Sequence, residues 1–166
     1  RAMGKTDFYT AVNVLYVTFD SIGKGTQQTM DISDLDKRLR KEIQTVDTVD
    51  SSVLEVLNYT YSQKRDISVR IDQPEFTSLC PLSALPDFGC VTIRYIPAEK
   101  IVELKSLKYY LLQYRNVGIF YEHVVNRILE DLVAVLAPRF LEVVGTYTPR
   151  GGIKTTVTVR HGKERE

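Results

Sequence analysis

The sequence has few of the residues that form disulfides or bind metals. It contains two cysteines, Cys80 and Cys90, and two histidines, His123 and His161. Two cysteines do not make a disulfide framework. Neither a Cys-x-x-Cys nor a His-Glu-x-x-His spacing, which would indicate zinc, is present. We therefore expect a thiol that works without a metal, in a reducing compartment such as the cytoplasm.

The sequence also lacks an excess of charge and long hydrophobic runs. A formal net charge of +1 gives no electrostatic reason to expect nucleic acid as a partner. No apolar run approaches the length of a membrane span, and no secretory signal is evident. The 166 residues, of which 43% are hydrophobic, fit one globular domain or one domain with an extension.

The first third of the sequence is assigned to an extension. Residues 8–19 are rich in Val, Tyr, Phe and Thr, which predicts a strand. Residues 31–43 predict a short helix with Ser33 as its N-cap, and the polar residues 44–52 predict a linker. We expect residues 1–50, which have no assigned role, to pack on the main domain or on a neighbouring subunit.

From residue 67 onward the hydrophobic pattern changes between two periods. A period of two predicts strands, and a period near 3.6 predicts helices. The predicted strands are 67–71, 91–95, 140–147 and 153–160, and the predicted helices run from 102 to 115 and from 119 to 136. This order predicts an α+β domain over residues 51–166. We expect a four-stranded antiparallel sheet with both helices on one face, the first two strands forming an antiparallel pair.

Between the first two predicted strands, residues 74–89 contain a thiol and a carboxylate seven residues apart, Cys80 and Asp87. Three prolines in this segment fix φ and forbid a helix, which predicts a stiff loop. Such a loop can hold a nucleophile and a proton donor towards one pocket. The alternative is a buried structural cysteine followed by a turn-forming aspartate, and the spacing alone leaves both interpretations open.

Two blocks of sequence resemble a known enzyme family. Residues 75–81 (Glu-Phe-Thr-Ser-Leu-Cys-Pro) and 85–88 (Leu-Pro-Asp-Phe) resemble the active-site loop of the NADPH-dependent 7-cyano-7-deazaguanine reductases of the unimodular type. Residues 103–110 (Glu-Leu-Lys-Ser-Leu-Lys-Tyr-Tyr) resemble their cofactor-binding signature. The resemblance covers residues 54–160 and leaves the N-terminal third unexplained.

The resemblance implies a nitrile reductase of queuosine biosynthesis, the pathway of a tRNA modification. The Cys80 thiolate would add to the nitrile carbon of 7-cyano-7-deazaguanine and give a covalent thioimide, while Asp87 supplies protons. Conversion of a nitrile to a primary amine takes four electrons, so two NADPH would be consumed for each 7-aminomethyl-7-deazaguanine formed. No metal is required in this chemistry.

The resemblance also implies where NADPH binds. Lys105 and Lys108 lie three residues apart on one face of the first predicted helix, Arg115 falls near the same stripe, and the leucines at 104, 107 and 111 mark the opposite, core-facing side. Such cations are commonly only a solvated surface, but within the signature they favour phosphate contacts to NADPH. Arg150, on the turn before the last strand, matches a further family position that contacts the cofactor.

Candidate substrate contacts come from both helices. Glu122 lies in the first turn of the second helix, where the helix dipole alone would favour a carboxylate, and the resemblance implies that it recognises the base. Tyr121 stands where many family members have His. We predict that it contributes a hydrogen bond or ring contact to the substrate; the alternative is an aromatic residue that packs on a neighbour. Glu103 and Ser106 are further candidates from the second block.

The implied architecture is the tunnelling fold, in which subunits join through their sheet edges into a barrel. The resemblance then implies a homo-oligomer with active sites between subunits, acting on a small-molecule base with no membrane or direct nucleic-acid partner. Two other functions stay open. One is an amidine-forming relative that modifies a nitrile-bearing tRNA without reduction, and the other is a non-catalytic base-binding scaffold.

Overall fold

A computed structural model describes the backbone at residues 14–19, 25–30 and 37, and describes residues 43–62 and 64–164 in full. The chain divides into two compact units, Arg1–Glu42 and Ile43–Glu166. Among the helices that the structure describes, none combines the length and hydrophobicity needed to span a membrane.

The first unit contains a hairpin of two antiparallel strands, β1 (Val14–Phe19) and β2 (Gly25–Met30). The strand predicted over residues 8–19 is confirmed in its second half, and its first half lies outside the described residues. β2 was not predicted because its polar Gly-Thr-Gln-Gln-Thr-Met sequence has no alternation of apolar side chains. The helix predicted over 31–43 also lies outside the described residues, apart from Lys37, which is helical, and Ile43, which is not.

The second unit is built on an antiparallel sheet with helices packed on one face. Its strands and helices are β3 (Val56–Asn58), β4 (Val69–Leu79), β5 (Pro86–Ile96), β6 (Lys100–Val102), α1 (Leu104–Leu112), α2 (Tyr121–Leu136), β7 (Phe140–Tyr147) and β8 (Thr156–Gly162). The main sheet has the order β4-β5-β7-β8, and β3 pairs with β6 in a smaller sheet. The α+β fold and the antiparallel four-stranded sheet are confirmed.

The helices agree with the predicted periods, with corrections at the start of α1. Val102 was assigned to the helix but lies in β6, and Leu104 was expected to face the core but is 62% exposed. The side chain of Glu103 caps α1, and the helix therefore begins at Leu104, the residue after this cap. The chain leaves α1 through a 3-10 turn, Gln113–Asn116. α2 ends at Leu136. Its C-cap residue, Ala137, has a left-handed φ of 44° and is followed by Pro138.

The predicted linker over residues 44–52 is wrong, because this segment packs into the second unit. Val46–Thr48 and Ser51–Val53 form 3-10 turns, and Val49 between them is 3% exposed. The Gln113 side chain accepts from the Asp50 N–H and donates to its carbonyl, so the polar groups of the segment are paired. The polar composition of residues 44–52 predicted a linker, but Val46 and Val49 pack their side chains against the core.

The prediction that residues 74–89 form a stiff loop is also wrong over most of its length. β4 continues to Leu79 and β5 begins at Pro86, so the loop is restricted to residues 80–85. Pro74 lies at a register shift between Gln73 and Phe76 on an edge strand, where a missing N–H breaks no ladder bond. Pro86 is the first residue of its strand, another position that tolerates proline. Cys80 therefore follows β4 directly, and Asp87 is held within β5.

The two faces of the main sheet differ in character. The inner face and the two helices bury a contiguous core that includes Val124, Ile128 and Leu132 on the predicted core side of α2. The opposite face carries ion pairs such as Arg70–Asp72. β4 and β8 are the sheet edges. The last strand begins later than predicted, at Thr156, because Gly151 and Gly152 take positive φ and form a turn before it.

Candidate active site

Cys80 lies in a short closed loop between β4 and β5. Its N–H donates to the Leu85 carbonyl at 2.9 Å, and its own carbonyl accepts from the Ala84 N–H at 2.9 Å. Burial by itself raises the pKa of the half-buried Cys80 thiol, but hydrogen-bond donors of Ser83, Leu82 and Arg150 outweigh it and lower the pKa overall. A lowered pKa increases the thiolate fraction, which is the nucleophilic form.

Asp87 lies beside this loop and is nearly inaccessible, with 4% of its surface exposed. The Tyr121 hydroxyl donates to its Oδ1 at 2.5 Å, and Arg150 Nε forms an ion pair with the same oxygen at 3.0 Å. Among the described residues 43–62 and 64–164, none makes a hydrogen bond to Oδ2. The carboxyl group is thus fixed through one oxygen, and the other is available for proton transfer.

Tyr121 reaches Asp87 because the start of α2 is tied to the Cys80 loop. The Leu79 N–H donates to the Val117 carbonyl at 2.9 Å, and the Ile119 N–H donates to the Leu79 carbonyl at 3.0 Å. Gly118 lies between these two bonds, and a Cβ there would collide with the Ile43 side chain and touch Pro81. This close approach directs the first residue of α2 into the site.

The Tyr121 ring stacks on Tyr147 of β7, with centroids 3.6 Å apart and planes 12° from parallel. Gly145 leaves room for this stack, since a Cβ there would lie 2.9 Å from Cε2 of Tyr147. Burial and the hydrogen bond to Asp87 raise the pKa of Tyr121 to about 12. Tyr121 therefore remains a neutral hydrogen-bond donor at neutral pH. In this structure the Tyr121 hydroxyl is bonded to Asp87, and its predicted contact to the substrate remains a prediction.

Arg150 connects the loop to the carboxylate. It lies on the turn between β7 and β8, and its Nη2 donates to the Pro86 carbonyl at 2.8 Å and to the Leu85 carbonyl at 3.4 Å. It also contributes to the lowered pKa of Cys80. The structure thus brings Cys80, Asp87, Tyr121 and Arg150 into one cluster, which we name the thiol cluster.

Two candidate substrate residues in the second block make contacts at the start of α1. The Glu103 carboxylate accepts from the N–H groups of Lys105 and Ser106 at 2.8 and 2.6 Å, and these bonds lower the pKa of Glu103. The buried Ser106 hydroxyl donates to the Glu103 carbonyl and accepts from the Glu55 N–H. Both side chains therefore stabilise the junction between β6 and α1 in the single chain.

Of the four predicted cofactor cations, Arg150 belongs to the thiol cluster, and the other three lie on α1 and the turn that follows it. Lys105 and Lys108 are exposed on α1, and Arg115 is exposed on the following 3-10 turn. Lys105 and Lys108 make no ion pair within the described residues. At a rise of about 1.5 Å per residue, α1 and its turn separate Lys105 by roughly 15–20 Å along the helix from Val117, which bonds to Leu79.

Glu122 is exposed in the first turn of α2, next to Tyr121, and its charge contributes to the raised pKa of Tyr147. A cavity of about 400 Å³ is lined on one side by Pro81, Phe120 and His123. Phe120 is 45% exposed and stacks edge-on against His123. Phe120 was not predicted as a site residue from the sequence. Its position at a helix N-cap could have indicated one, because polar residues are preferred there.

Cys80 and Asp87 do not line the two cavities of about 400 and 520 Å³. The larger one, of about 520 Å³, lies at the far end of the sheet beside Asp66 and Arg139. The residues that the structure describes contain no group of three or more His, Cys, Asp and Glu side chains arranged to hold a metal ion. The thiol cluster is the arrangement of site residues that can perform covalent and proton-transfer chemistry.

Comparison with known proteins relates this site to one family. Residues 86–166 match the family model described as QueF-like protein. The chain is 51% identical over 132 residues to the NADPH-dependent 7-cyano-7-deazaguanine reductase of Caldicellulosiruptor bescii, which covers 80% of this chain and 100% of that protein. It is 57% identical over 109 residues to the enzyme of the same name from Chlorobium luteolum, covering 66% of this chain and 93% of that one.

A solved structure supports the fold. The archaeosine synthase QueF-Like in the apo form aligns with a TM-score of 0.53 at 22% identity, over 60% of this chain and 96% of that one. At this identity the match concerns the fold alone. It agrees with the antiparallel sheet and packed helices described above.

Proposed function

The chain belongs to the family of NADPH-dependent 7-cyano-7-deazaguanine reductases, and we propose that it reduces the nitrile of this base to an aminomethyl group. The observation that carries the proposal is the thiol cluster, in which a half-buried thiol with a lowered pKa lies beside a buried carboxyl group. The product would be 7-aminomethyl-7-deazaguanine, a precursor of queuosine. The reaction belongs in the cytoplasm, where a free thiol is kept reduced.

The first step is addition of Cys80 to the nitrile. The thiol gives its proton to Asp87, the sulfur forms a bond to the nitrile carbon, and one π electron pair of the C≡N bond moves to nitrogen. Asp87 then transfers the proton to that nitrogen, which gives a neutral thioimide and restores the carboxylate. A positioned general acid of this kind is worth about 10²–10⁴ in rate.

Reduction of the thioimide takes two hydrides and two further protons. After the first hydride reaches carbon, the nitrogen electron pair expels the Cys80 sulfur and leaves an imine, and the second hydride gives the amine. Asp87, fixed by Tyr121 and Arg150, is positioned to take these two protons from water and to pass one to the amine nitrogen and one back to the released Cys80 sulfur. When bound, NADPH supplies the hydrides, and the overall balance is one nitrile, two NADPH and two protons to one amine and two NADP⁺.

Lys105 and Lys108 fit the phosphates of NADPH. Both ammonium groups are exposed and unpaired among the described side chains, so a phosphate can bind without breaking an existing ion pair. Arg115 can add a third charge from the adjoining turn, and Arg150 offers one at the thiol cluster. Cations of this kind are the usual partners of a ribose phosphate.

We place the complete site between subunits. In one chain Lys105 lies at the end of α1 remote from Val117 and Leu79, and the cavities of about 400 and 520 Å³ are not lined by Cys80 or Asp87. β4 and β8, the edge strands of the main sheet, offer a route to association into the barrel of a tunnelling fold. A second copy would then bring its α1 cations to the first copy's thiol, with Glu122, Tyr121, Glu103 and Ser106 as candidate contacts to the base.

The test is NADPH oxidation that depends on the nitrile base, with two NADPH consumed per base. Mixing the protein with 7-cyano-7-deazaguanine alone should also add the mass of the base to the chain, and Cys80→Ala should abolish that adduct. An adduct without any NADPH oxidation would contradict the reductase and favour amidine formation. No adduct and no oxidation would leave base binding as the remaining function.

A further inference from the structure

A buried hydroxyl without a partner lies next to Asp87. Ser78 is 0% exposed, and its Oγ has no hydrogen-bond partner in the part of the chain that the structure describes. An unpaired buried hydroxyl is costly and rare in folded proteins. An alanine would fill this position in β4 without that cost, so the hydroxyl requires another explanation than packing.

The strand register places Ser78 directly opposite Asp87. The two residues are Cα partners in the β4–β5 ladder, and both side chains are buried on the inner face. Side chains directly opposite each other in an antiparallel pair have Cβ atoms about 4.5–5.5 Å apart. Oδ1 of Asp87 is occupied by Tyr121 and Arg150, which leaves Oδ2 as the oxygen without a hydrogen bond. After burial and Tyr121, the charge of Asp87 also raises the pKa of Tyr147.

We propose that Ser78 is a positioning residue for Asp87, whose hydroxyl donates a hydrogen bond to Oδ2 as the carboxyl group gives up its proton. This inference rests on the proposed function, in which Asp87 protonates the nitrile nitrogen. In that step the O–H bond of the carboxyl breaks, its electron pair stays on Oδ2, and an N–H bond forms on the substrate. The Ser78 hydroxyl then stabilises the new negative charge, as Tyr121 and Arg150 do at Oδ1.

If Ser78 positions Asp87, its replacement should slow adduct formation without weakening binding of the base. In Ser78→Ala, the rate of adduct formation at saturating 7-cyano-7-deazaguanine should fall about 10- to 100-fold, the range for one hydrogen bond to a charged group. The concentration of base that gives half the maximal rate should stay within about twofold, since a positioning residue acts on the base only through Asp87. Ser78→Thr, which keeps the hydroxyl, should recover part of the rate.

Thr77→Ala is the matched control. Thr77 is the neighbouring hydroxyl residue, pairs with Phe88 and points to the opposite face of the sheet. Its loss should leave the rate of adduct formation near that of the wild type. Thermal unfolding of both variants shows that each is folded.

A double-mutant cycle with Asp87→Asn decides whether Ser78 acts through Asp87. Adduct formation, followed by intact mass over hours, should be no slower in the double variant than in Asp87→Asn alone. An equal loss from Ser78→Ala in both backgrounds would overturn the inference, as would a Ser78→Ala rate equal to that of Thr77→Ala. Failure of the wild type to form any adduct would instead overturn the proposed function, and this inference with it.

Discussion

Tyr121 Oη donates a hydrogen bond of 2.5 Å to Oδ1 of Asp87, across 34 residues of sequence. The bond joins the first residue of α2 to the second residue of β5, and the ring behind it is fixed by the stack on Tyr147. Many members of the family have a His at this position, which can carry a proton near neutral pH. A tyrosine whose pKa is raised to about 12 donates a hydrogen bond but keeps its proton, and the proposed function therefore assigns proton transfer to Asp87.

Removal of the Tyr121 hydroxyl should impair chemistry more than binding. In Tyr121→Phe the ring can still stack on Tyr147, but Asp87 loses one of its two contacts at Oδ1. We expect turnover to fall by about 10-fold or more, in line with a hydrogen bond to a charged group, and steady-state kinetics measures the change. Tyr61→Phe, at an exposed position outside α1 and the thiol cluster, is the control. An unchanged turnover with a raised Michaelis constant for the base would contradict this expectation and indicate that Tyr121 contacts the substrate directly.

The lowered pKa of Cys80 can be measured by alkylation. In a Cys90→Ser background, the rate of reaction with iodoacetamide against pH should have its midpoint below about 8.5, the ordinary value for a thiol. Ser83→Ala removes the leading interaction that lowers this pKa, so the midpoint should rise. The sign follows because a donor to the sulfur favours the thiolate, and its loss favours the thiol. A midpoint that is the same in both proteins would contradict the assigned cause.

The α1 lysines should affect NADPH and leave the covalent step intact. We expect Lys105→Ala or Lys108→Ala to raise the Michaelis constant for NADPH roughly 10- to 100-fold, the worth of a charged hydrogen bond. Formation of the thioimide, measured by intact mass without NADPH, should be unchanged. Lys64→Ala removes an exposed lysine outside α1 and serves as the control. Equal losses in both assays would show that the lysines serve folding or assembly.

Subunit mixing tests whether the site is shared. Cys80→Ala and Lys105→Ala proteins should each be nearly inactive under limiting NADPH. If one copy supplies the thiol and another the lysine, random one-to-one mixing after dissociation and reassembly leaves about a quarter of the sites with both groups intact. Activity should therefore return to about that fraction. If each chain supplied both groups to its own site, no mixed site would be intact and the mixture would stay inactive.

Local pattern predicted the regular elements of the second unit well. The strand at 140–147 has the bounds predicted for it, and α2 ends at the predicted residue. Both rest on side-chain periodicity, which the sequence contains directly. Pro74 and Pro86 led to the wrong prediction of a loop at their positions, because proline excludes a strand only where its N–H is needed. Whether a strand is an edge, and where its register shifts, depends on the partner strand.

Short stretches of sequence are enough to indicate the family, the two helices, the main strands and the seven-residue spacing of Cys80 and Asp87. These features are local, and each is set by a few consecutive residues. By contrast, the positions of Tyr121, Arg150 and Ser78 against or opposite Asp87 follow from the folded chain. The first two contacts depend on how α2 and the β7–β8 turn return to the sheet, and the third depends on strand register. Register and packing are joint properties of segments far apart in the chain, so no single segment encodes them.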